Sequence, residues 1–165
     1  LCKDPVMYID DRWLYDQEDE LTPIVELDLK IQRPVISLMG GEITIVASGH
    51  ASLLAREAAE KLENKDISVE VIDVRVLNPF YSQEIIESVK KTKNLLVVDS
   101  GWISGGFSAE IIARVVEQLP MNCLNNPPVR VALPDAPAPT SRILEKAYYT
   151  STDDVIKAVK KILNS

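Results

Sequence analysis

The sequence is poor in the residues that most metal sites and catalytic centres use. Among its 165 residues there is one histidine, His50, and there are two cysteines, Cys2 and Cys123. A cluster of histidine ligands is therefore excluded, and the cysteines give neither a disulfide framework nor a Cys-x-x-Cys metal pair. A catalytic triad would have to be built around His50, and no Gly-x-Ser-x-Gly motif supplies its nucleophile.

Long apolar runs and clusters of basic side chains are also absent. No apolar stretch approaches the roughly 20 residues that a helix needs to cross a bilayer. The formal net charge is −7, from 18 Lys and Arg against 25 Asp and Glu, and no basic stripe alternates with aromatics. Nucleic acid and membrane are accordingly not expected as partners, whereas a basic protein surface would complement the charge.

Apolar residues, in contrast, make up 46% of the chain, which is enough for the core of one ordinary domain. From Gly40 onward, continuous apolar runs predict four strands that are buried on both faces, at 43–47, 69–74, 95–98 and 129–133. Helical patterns separate these strands. The alternation predicts an α/β fold in three layers, with a mostly parallel sheet flanked by helices.

The predicted helices have recognisable starts and stops. One begins near Ala51, a second can be capped by Ser82, and a third, with its apolar stripe at 111–119, is stopped by Pro120. The last helix starts at Ser151, where an acidic residue three positions later resembles a capping box. These signals support the alternation of helices and strands independently of the apolar runs.

The first 34 residues have a different character. Residues 5–9 are predicted as a short strand, because β-favouring apolar residues run together there, although no local partner strand is apparent. Residues 16–33 are acidic and poorly periodic, and Pro23 and Pro34 bound the later part of the segment. These properties are typical of a surface connection. We therefore divide the chain into residues 1–34, a strand with a linker arm, and residues 35–165, the α/β domain.

Ser48, Gly49 and His50 lie where a predicted strand passes into a helix. Backbone N–H groups at such a position can hold an anion. Because no Gly-x-Gly-x-x-Gly or P-loop motif accompanies them, a structural turn is favoured over an anion site. For His50, a hydrogen-bonded or solvent-facing loop position is favoured over the role of catalytic base.

Acidic residues near the start of the chain could offer oxygen ligands to Ca²⁺ or Mg²⁺. Their spacing matches no EF-hand loop, so a solvated acidic arm is favoured over a metal site. The residues concerned are Asp10, Asp11, Asp16, Glu18, Asp19 and Glu20.

The segment 99–107 is a stronger candidate for a functional surface. It follows the carboxyl end of a predicted strand, where open α/β sheets bind ligands, and it combines glycines with two aromatic residues. A protein interface is favoured there over plain packing and over a ligand pocket. The interface candidates are Gly101, Trp102, Gly105, Gly106 and Phe107.

Several stretches of the sequence together resemble one known family. They lie at 44–50, 58–62, 73–80, 88–92, 95–102, 108–113 and 128–131, and the most discriminating are the Asp-x-Pro-x-Pro series at 135–139 and Leu-Glu at 144–145. Together these stretches are similar to the C-terminal domain of the β-subunit of thiamine-diphosphate-dependent 2-oxo acid dehydrogenases. Transketolase and deoxyxylulose-phosphate synthase share the earlier part of the pattern. The segments at 135–139 and 144–145 favour the β-subunit over these two enzymes.

The resemblance implies that the chemistry takes place outside this chain. In the family, a preceding domain binds the aminopyrimidine end of thiamine diphosphate, and a partner subunit holds the diphosphate and Mg²⁺. No catalytic, cofactor-binding or metal-binding residue is therefore expected here. Residues 1–34 would be the end of the pyrimidine-binding domain plus the linker arm. Two departures are Ser108, where the family usually has glycine, and the missing Gly-Lys-Ala within 27–39.

The resemblance also implies partners and a place in the cell. The partners are the α-subunit and a second β-subunit of a heterotetramer, together with the dihydrolipoyl acyltransferase core. Asn125 stands where some members use an Asp for docking to that core, which makes it a further interface candidate. The implied function is assembly of a dehydrogenase that decarboxylates a 2-oxo acid such as pyruvate, in the bacterial cytoplasm or the mitochondrial matrix. The isolated chain would be inactive.

Two alternatives to this interpretation stay open. The first is a stand-alone binding module of the same fold, which would use the 48–50 or 101–107 segments for a small anion or a protein. The second is the C-terminal domain of a transketolase or of a deoxyxylulose-phosphate synthase-like enzyme.

Overall fold

The computed structural model of the protein describes residues 4–18, 20 and 28–164. Five strands form one sheet: β1 Val35–Leu38, β2 Ile43–Ala47, β3 Val69–Asp73, β4 Leu95–Trp102 and β5 Val129–Leu133. The α-helices are α1 His50–Glu63, α2 Gln83–Thr92, α3 Phe107–Gln118, α4 Arg142–Tyr148 and α5 Thr152–Leu163. Short 3-10 turns occupy Arg12–Leu14 and Leu29–Ile31. None of the helices in the described ranges is long and apolar enough to cross a membrane.

The sheet is mostly parallel, and its strand order is β1-β3-β2-β4-β5. The central strand β2 pairs in parallel with β3 and with β4, and β4 pairs in parallel with β5. Only the edge strand β1 runs antiparallel, alongside β3. The predicted α/β fold is thus confirmed.

The core consists of two apolar layers, one on each face of the sheet. On one face α1 and α5 pack over alternate residues of the strands, and on the other face α2 and α3 pack over the remaining ones. Alanines on the inner side of α1 let this helix approach the sheet closely. Every residue of β2 is buried, because both of its faces are covered by helices.

A buried polar cluster connects the sheet with α2. The Thr44 Oγ1 atom lies 2.6 Å from Ser88 Oγ and 2.7 Å from Thr92 Oγ1. Glu70, which pairs with Thr44 in register, is only 1% exposed and forms an ion pair with Lys91. These contacts satisfy polar groups that would otherwise destabilise the core, but the Glu70 Oε1 atom is buried without a hydrogen-bond partner.

The carboxyl group of Glu70 responds to two opposing influences. Burial pushes its pKa upward, but hydrogen bonds from the Lys91 ammonium and from the Gly40 backbone N–H favour the charged form. The hydrogen bonds and the positive charge outweigh burial, so the pKa of Glu70 lies below its ordinary value. Glu70 is therefore a buried carboxylate that depends on its partner.

The four predicted strands and the four predicted helices are all present. The capping box is also confirmed, since the Ser151 and Asp154 side chains each accept a hydrogen bond from the other residue's backbone N–H. Ser82 is the N-cap residue that precedes α2, but its side chain makes no capping hydrogen bond.

Three predictions about segments need correction. Residues 5–9 form no strand and are exposed, because no strand in the described residues lies beside them. The segment 99–102 is not a loop, since β4 continues to Trp102, which pairs with Leu133 of β5. The elements β1 and α4 were not predicted: β1 has four residues, and α4 contains no buried residue and hence no apolar stripe. The division at residue 34 stays a prediction.

Candidate functional site

The chain changes direction across the sheet at β2. From β2 it passes through α1 to β3 on one side, and then through α2 to β4 on the other side of β2. The carboxyl ends of β2 and β4 therefore form a topological switch point, which is where open α/β sheets form ligand crevices.

A cavity of about 300 Å³ lies at this switch point. Its inner walls are apolar and come from α1 and from the carboxyl ends of two strands: Ala51, Leu54, Val98 and Leu133. Its polar lining is supplied by Asp11, His50, Asp99, Ser100 and Thr150.

Residues 11–13 close the outer side of this cavity. The Asp11 side chain accepts a hydrogen bond from the Trp13 backbone N–H at 3.0 Å, which starts the 3-10 turn Arg12–Leu14. This turn places the Trp13 ring on the His50 ring, with centroids 5.6 Å apart and an angle of 29° between the planes. The edge-to-face contact of Trp13 with Tyr149 has a centroid distance of 5.8 Å. Aromatic contacts thus hold residues 11–13 against α1 and the end of α4.

His50 is the first residue of α1 and follows a glycine that adopts a left-handed conformation. Gly49 has a φ of 57°, a backbone conformation that favours glycine. This conformation explains why a glycine occupies the turn. The His50 Nδ1 atom is buried and has no hydrogen-bond partner. His50 lines the cavity. At 48–50 the structural turn, which was favoured over an anion site, stays a prediction.

Asp99 is oriented by backbone N–H groups at the end of β4 and the start of α3. Its Oδ1 atom accepts from the Gly101 N–H at 2.8 Å, and its Oδ2 atom accepts from the Ser108 N–H at 2.7 Å. The Ser108 hydroxyl, at a position where the resemblance expects glycine, is buried without a partner. Asp99 thus fixes the start of α3 beside the cavity.

The six interface candidates are distributed along the same edge of the sheet and beyond it. Gly101 and Trp102 end β4, while Gly105 and Gly106 lie in the turn that leads to α3. Phe107 begins α3 and is half-buried against Phe80, with ring centroids 5.3 Å apart. Trp102 is exposed.

Trp102 contacts α4 rather than the cavity. Its Nε1–H donates to the Tyr148 hydroxyl at 3.0 Å, and that hydroxyl donates to the Ala136 carbonyl at 2.7 Å. Neighbouring positions on α4, Ile143 and Leu144, are exposed. Trp102 and α4 together form an apolar surface that no other described element covers.

Asn125 lies in the loop between α3 and β5, away from the switch point. Its backbone N–H donates to the Lys93 carbonyl at 2.9 Å, and the residue is exposed. A shallow groove along residues 116–127 includes the exposed Met121. Asn125 is thus held by its backbone and leaves its amide free to contact a partner.

Two of the acidic residues near the start of the chain, Asp10 and Asp11, are engaged locally. The Asp10 carboxylate accepts a hydrogen bond from the Tyr15 hydroxyl, and Asp11 caps the following turn. Asp19 lies outside the described residues. Within the part of the chain that the structure describes, no group of three His, Cys, Asp or Glu residues could hold a metal ion.

Trp13 and Tyr149 were not predicted from the sequence as parts of a site. Both belong to short segments whose position depends on contacts far apart in the sequence. The one available signal was the aromatic pair Trp13 and Tyr15 in an otherwise acidic arm, because large aromatics in a polar connection often contact another surface.

Comparison with known proteins identifies the family. Residues 35–155 match the family model described as transketolase, C-terminal domain. Curated relatives include the pyruvate dehydrogenase E1 component subunit beta of Rickettsia felis, which is 37% identical over 162 residues, 96% of this chain and 48% of the relative. The mitochondrial subunits of Caenorhabditis elegans and Homo sapiens are 36% and 34% identical over 163 residues, 97% of this chain and 46% and 45% of those proteins.

A solved structure described as a split-gene transketolase, inactive β4 tetramer, has a TM-score of 0.72 and is 26% identical. The similarity covers 89% of this chain and 46% of that one. The chain spans about half the length of the curated relatives it matches. Since the family model covers the whole sheet and most of its helices, the chain belongs to the transketolase C-terminal domain family.

Proposed function

We propose that this chain is the C-terminal assembly domain of the β-subunit of a thiamine-diphosphate-dependent 2-oxo acid dehydrogenase, and that the whole protein acts on pyruvate. The support is the match to pyruvate dehydrogenase β-subunits along 96–97% of the chain. In this proposal residues 1–34 are the end of a pyrimidine-binding domain plus the linker arm. Thiamine diphosphate and Mg²⁺ are bound by other parts of the enzyme.

The observation that carries the assembly role is the apolar surface beside β4. We call Trp102, Ile143, Leu144 and Tyr148 the assembly face. Leu144 and Tyr148 are four residues apart and so lie on the same side of α4, and Tyr148 is bonded to Trp102. A helix that buries none of its residues gains little from its own domain, and an exposed apolar patch is typical of an interaction site.

The partners follow from the proposed identity. The assembly face would contact a second β-subunit or the α-subunit of a heterotetramer. The solved relative is described as a β4 tetramer, which supports the proposal that subunits of this kind associate with one another. The exposed loop with Asn125 and Met121 would dock the dihydrolipoyl acyltransferase core. The curated relatives include mitochondrial and bacterial proteins, so we propose the mitochondrial matrix or the bacterial cytoplasm as the location.

The assembly role can be tested with a charged side chain in the assembly face. We expect Leu144→Glu, introduced into the protein at its natural length with its partner subunit, to weaken subunit association at least about tenfold, because a carboxylate cannot be buried unpaired. Leu29→Glu is the matched control, since Leu29 is 60% and Leu144 58% exposed. Light scattering after size exclusion measures the assembly. Equal assembly of both variants would refute the role of this face.

The absence of cofactor chemistry from this domain is tested separately. Calorimetric titration of the 165-residue chain with thiamine diphosphate and Mg²⁺ should give no saturable heat. A saturable heat would favour a binding module of the same fold, even if the assembly experiment succeeds.

A further inference from the structure

We propose that the cavity at the β2–β4 switch point is a binding site for a small aromatic molecule that carries a cationic amino group. The cavity of about 300 Å³ lies at the small end of the range of ligand pockets and can hold one ring with a short substituent. The proposed site combines Asp11 and Trp13 with residues of the α/β domain, and the proposal does not depend on the assembly role.

The walls of the cavity favour an aromatic ligand. Leu54, Val98 and Leu133 give an apolar floor, and Trp13 and Tyr149 give aromatic surfaces on the outer side. A flat ring buried between such walls gains both from the removal of apolar area from water and from ring–ring contacts. A purely polar ligand would find few partners there.

The charges of the cavity favour a cation over an anion. The lining side chains with a formal charge are both carboxylates, Asp11 and Asp99. The Asp99 oxygens already accept two backbone hydrogen bonds, whereas the described bond to Asp11 uses its Oδ1 atom. The faces of Trp13 and Tyr149 attract a cation as well. These contributions oppose the positive end of α1, which would otherwise attract an anion.

His50 lines the cavity and reports on its occupancy. Its ring is stacked on Trp13, so a ligand that enters beside Trp13 changes the surroundings of the imidazole. The Nδ1 atom itself is buried and takes no part in the proposed contacts. The apolar walls and the two carboxylates therefore determine the class of ligand.

The site can be tested with two probes that differ mainly in charge. Benzylamine and benzoate each carry one ring and one charged group, and His50, the only histidine of the chain, gives a single set of imidazole signals in an NMR titration. At constant pH we expect benzylamine to shift these signals saturably and to bind at least about tenfold more tightly than benzoate. The absence of a saturable shift, or tighter binding of benzoate, would overturn the proposal.

A filled cavity locates the binding. Leu54→Trp occupies the floor and should weaken benzylamine binding at least tenfold, whereas Leu77→Trp, at an exposed loop position that does not line the cavity, should change it less than twofold. Circular dichroism confirms that both variants fold. Retained binding in a folded Leu54→Trp variant would contradict the assignment to this cavity.

A second variant tests the charge of the site without filling it. Asp11→Asn keeps a side chain that can cap the turn before Trp13 but removes a negative charge. We expect the ratio of benzylamine to benzoate affinity to fall at least about threefold. An unchanged ratio would show that Asp11 does not select the ligand, and would overturn the electrostatic part of the proposal.

Discussion

The ion pair between Glu70 and Lys91 should respond unequally to the loss of one partner or the other. Glu70 is 1% exposed, whereas the Lys91 side chain is 52% exposed. Lys91→Met leaves a buried carboxylate without its counter-charge, a change that costs roughly 3–5 kcal/mol for a fully buried pair. Because water reaches Lys91, we expect a loss of about 2–3 kcal/mol in the free energy of unfolding. Glu70→Gln should cost only about 1 kcal/mol, since Lys91 can then be hydrated.

The same pair predicts a pH dependence with a defined sign. The pKa of Glu70 is lowered from its ordinary value of 4.5 in the folded state, so its contribution to stability is present above that value and is lost as the pH falls through the folded pKa. Without Lys91, burial dominates and raises the pKa of Glu70. The difference in stability between wild type and Lys91→Met should therefore shrink as the pH is lowered from 7 toward 4.

Urea unfolding followed by circular dichroism, at pH 7, 5.5 and 4, measures these free energies. Lys90→Met is the matched control, because this neighbouring lysine on α2 is exposed and should change stability by less than about 0.5 kcal/mol. A Lys91→Met variant that is as stable as Glu70→Gln, or a difference from wild type that does not vary with pH, would refute the reasoning.

Three further changes test the packing and capping of the domain, each by urea unfolding. Gly40→Ala should cost at least about 2 kcal/mol, because the added Cβ meets the backbone of β3, whereas Gly41→Ala, with open space, should be near neutral. Ser151→Ala should cost about 1 kcal/mol through loss of the α5 cap; no loss would contradict the capping box. Val159→Ala should cost about 2 kcal/mol, since Val159 is fully buried; a neutral result would indicate that α5 is loosely packed.

The parts of the fold that could be predicted are those in which one element carries its own signal. The strand β2 is buried on both faces, and an apolar run such as 43–47 indicates this directly. The helix α5 combines an apolar stripe with a capping box, so its start was predicted to the residue. The resemblance to the β-subunit family predicted a role for the domain, which the patterns of single strands and helices cannot supply.

The parts that could not be predicted depend on distant contacts. The strand β1 is four residues long and exists as a strand because β3 offers it hydrogen bonds. The helix α4 buries nothing and gives no periodic pattern. The cavity required Trp13, His50 and Tyr149 to meet, and their separation in the sequence hides this contact. Composition and spacing describe single elements better than the places where elements meet.

The position of β2 in the sheet has a consequence for protein synthesis. β2 ends at residue 47, but its two neighbours, β3 and β4, begin only at residues 69 and 95. As the ribosome extends the chain, β2 therefore emerges as an apolar strand before either neighbour can pair with it. Non-local parallel pairing is slow, and unpaired apolar strands aggregate. β2, which is fully buried in the folded domain, is thus exposed on the nascent chain until β3 and β4 have been synthesised. During this stage the chain most needs chaperones to keep β2 from aggregating.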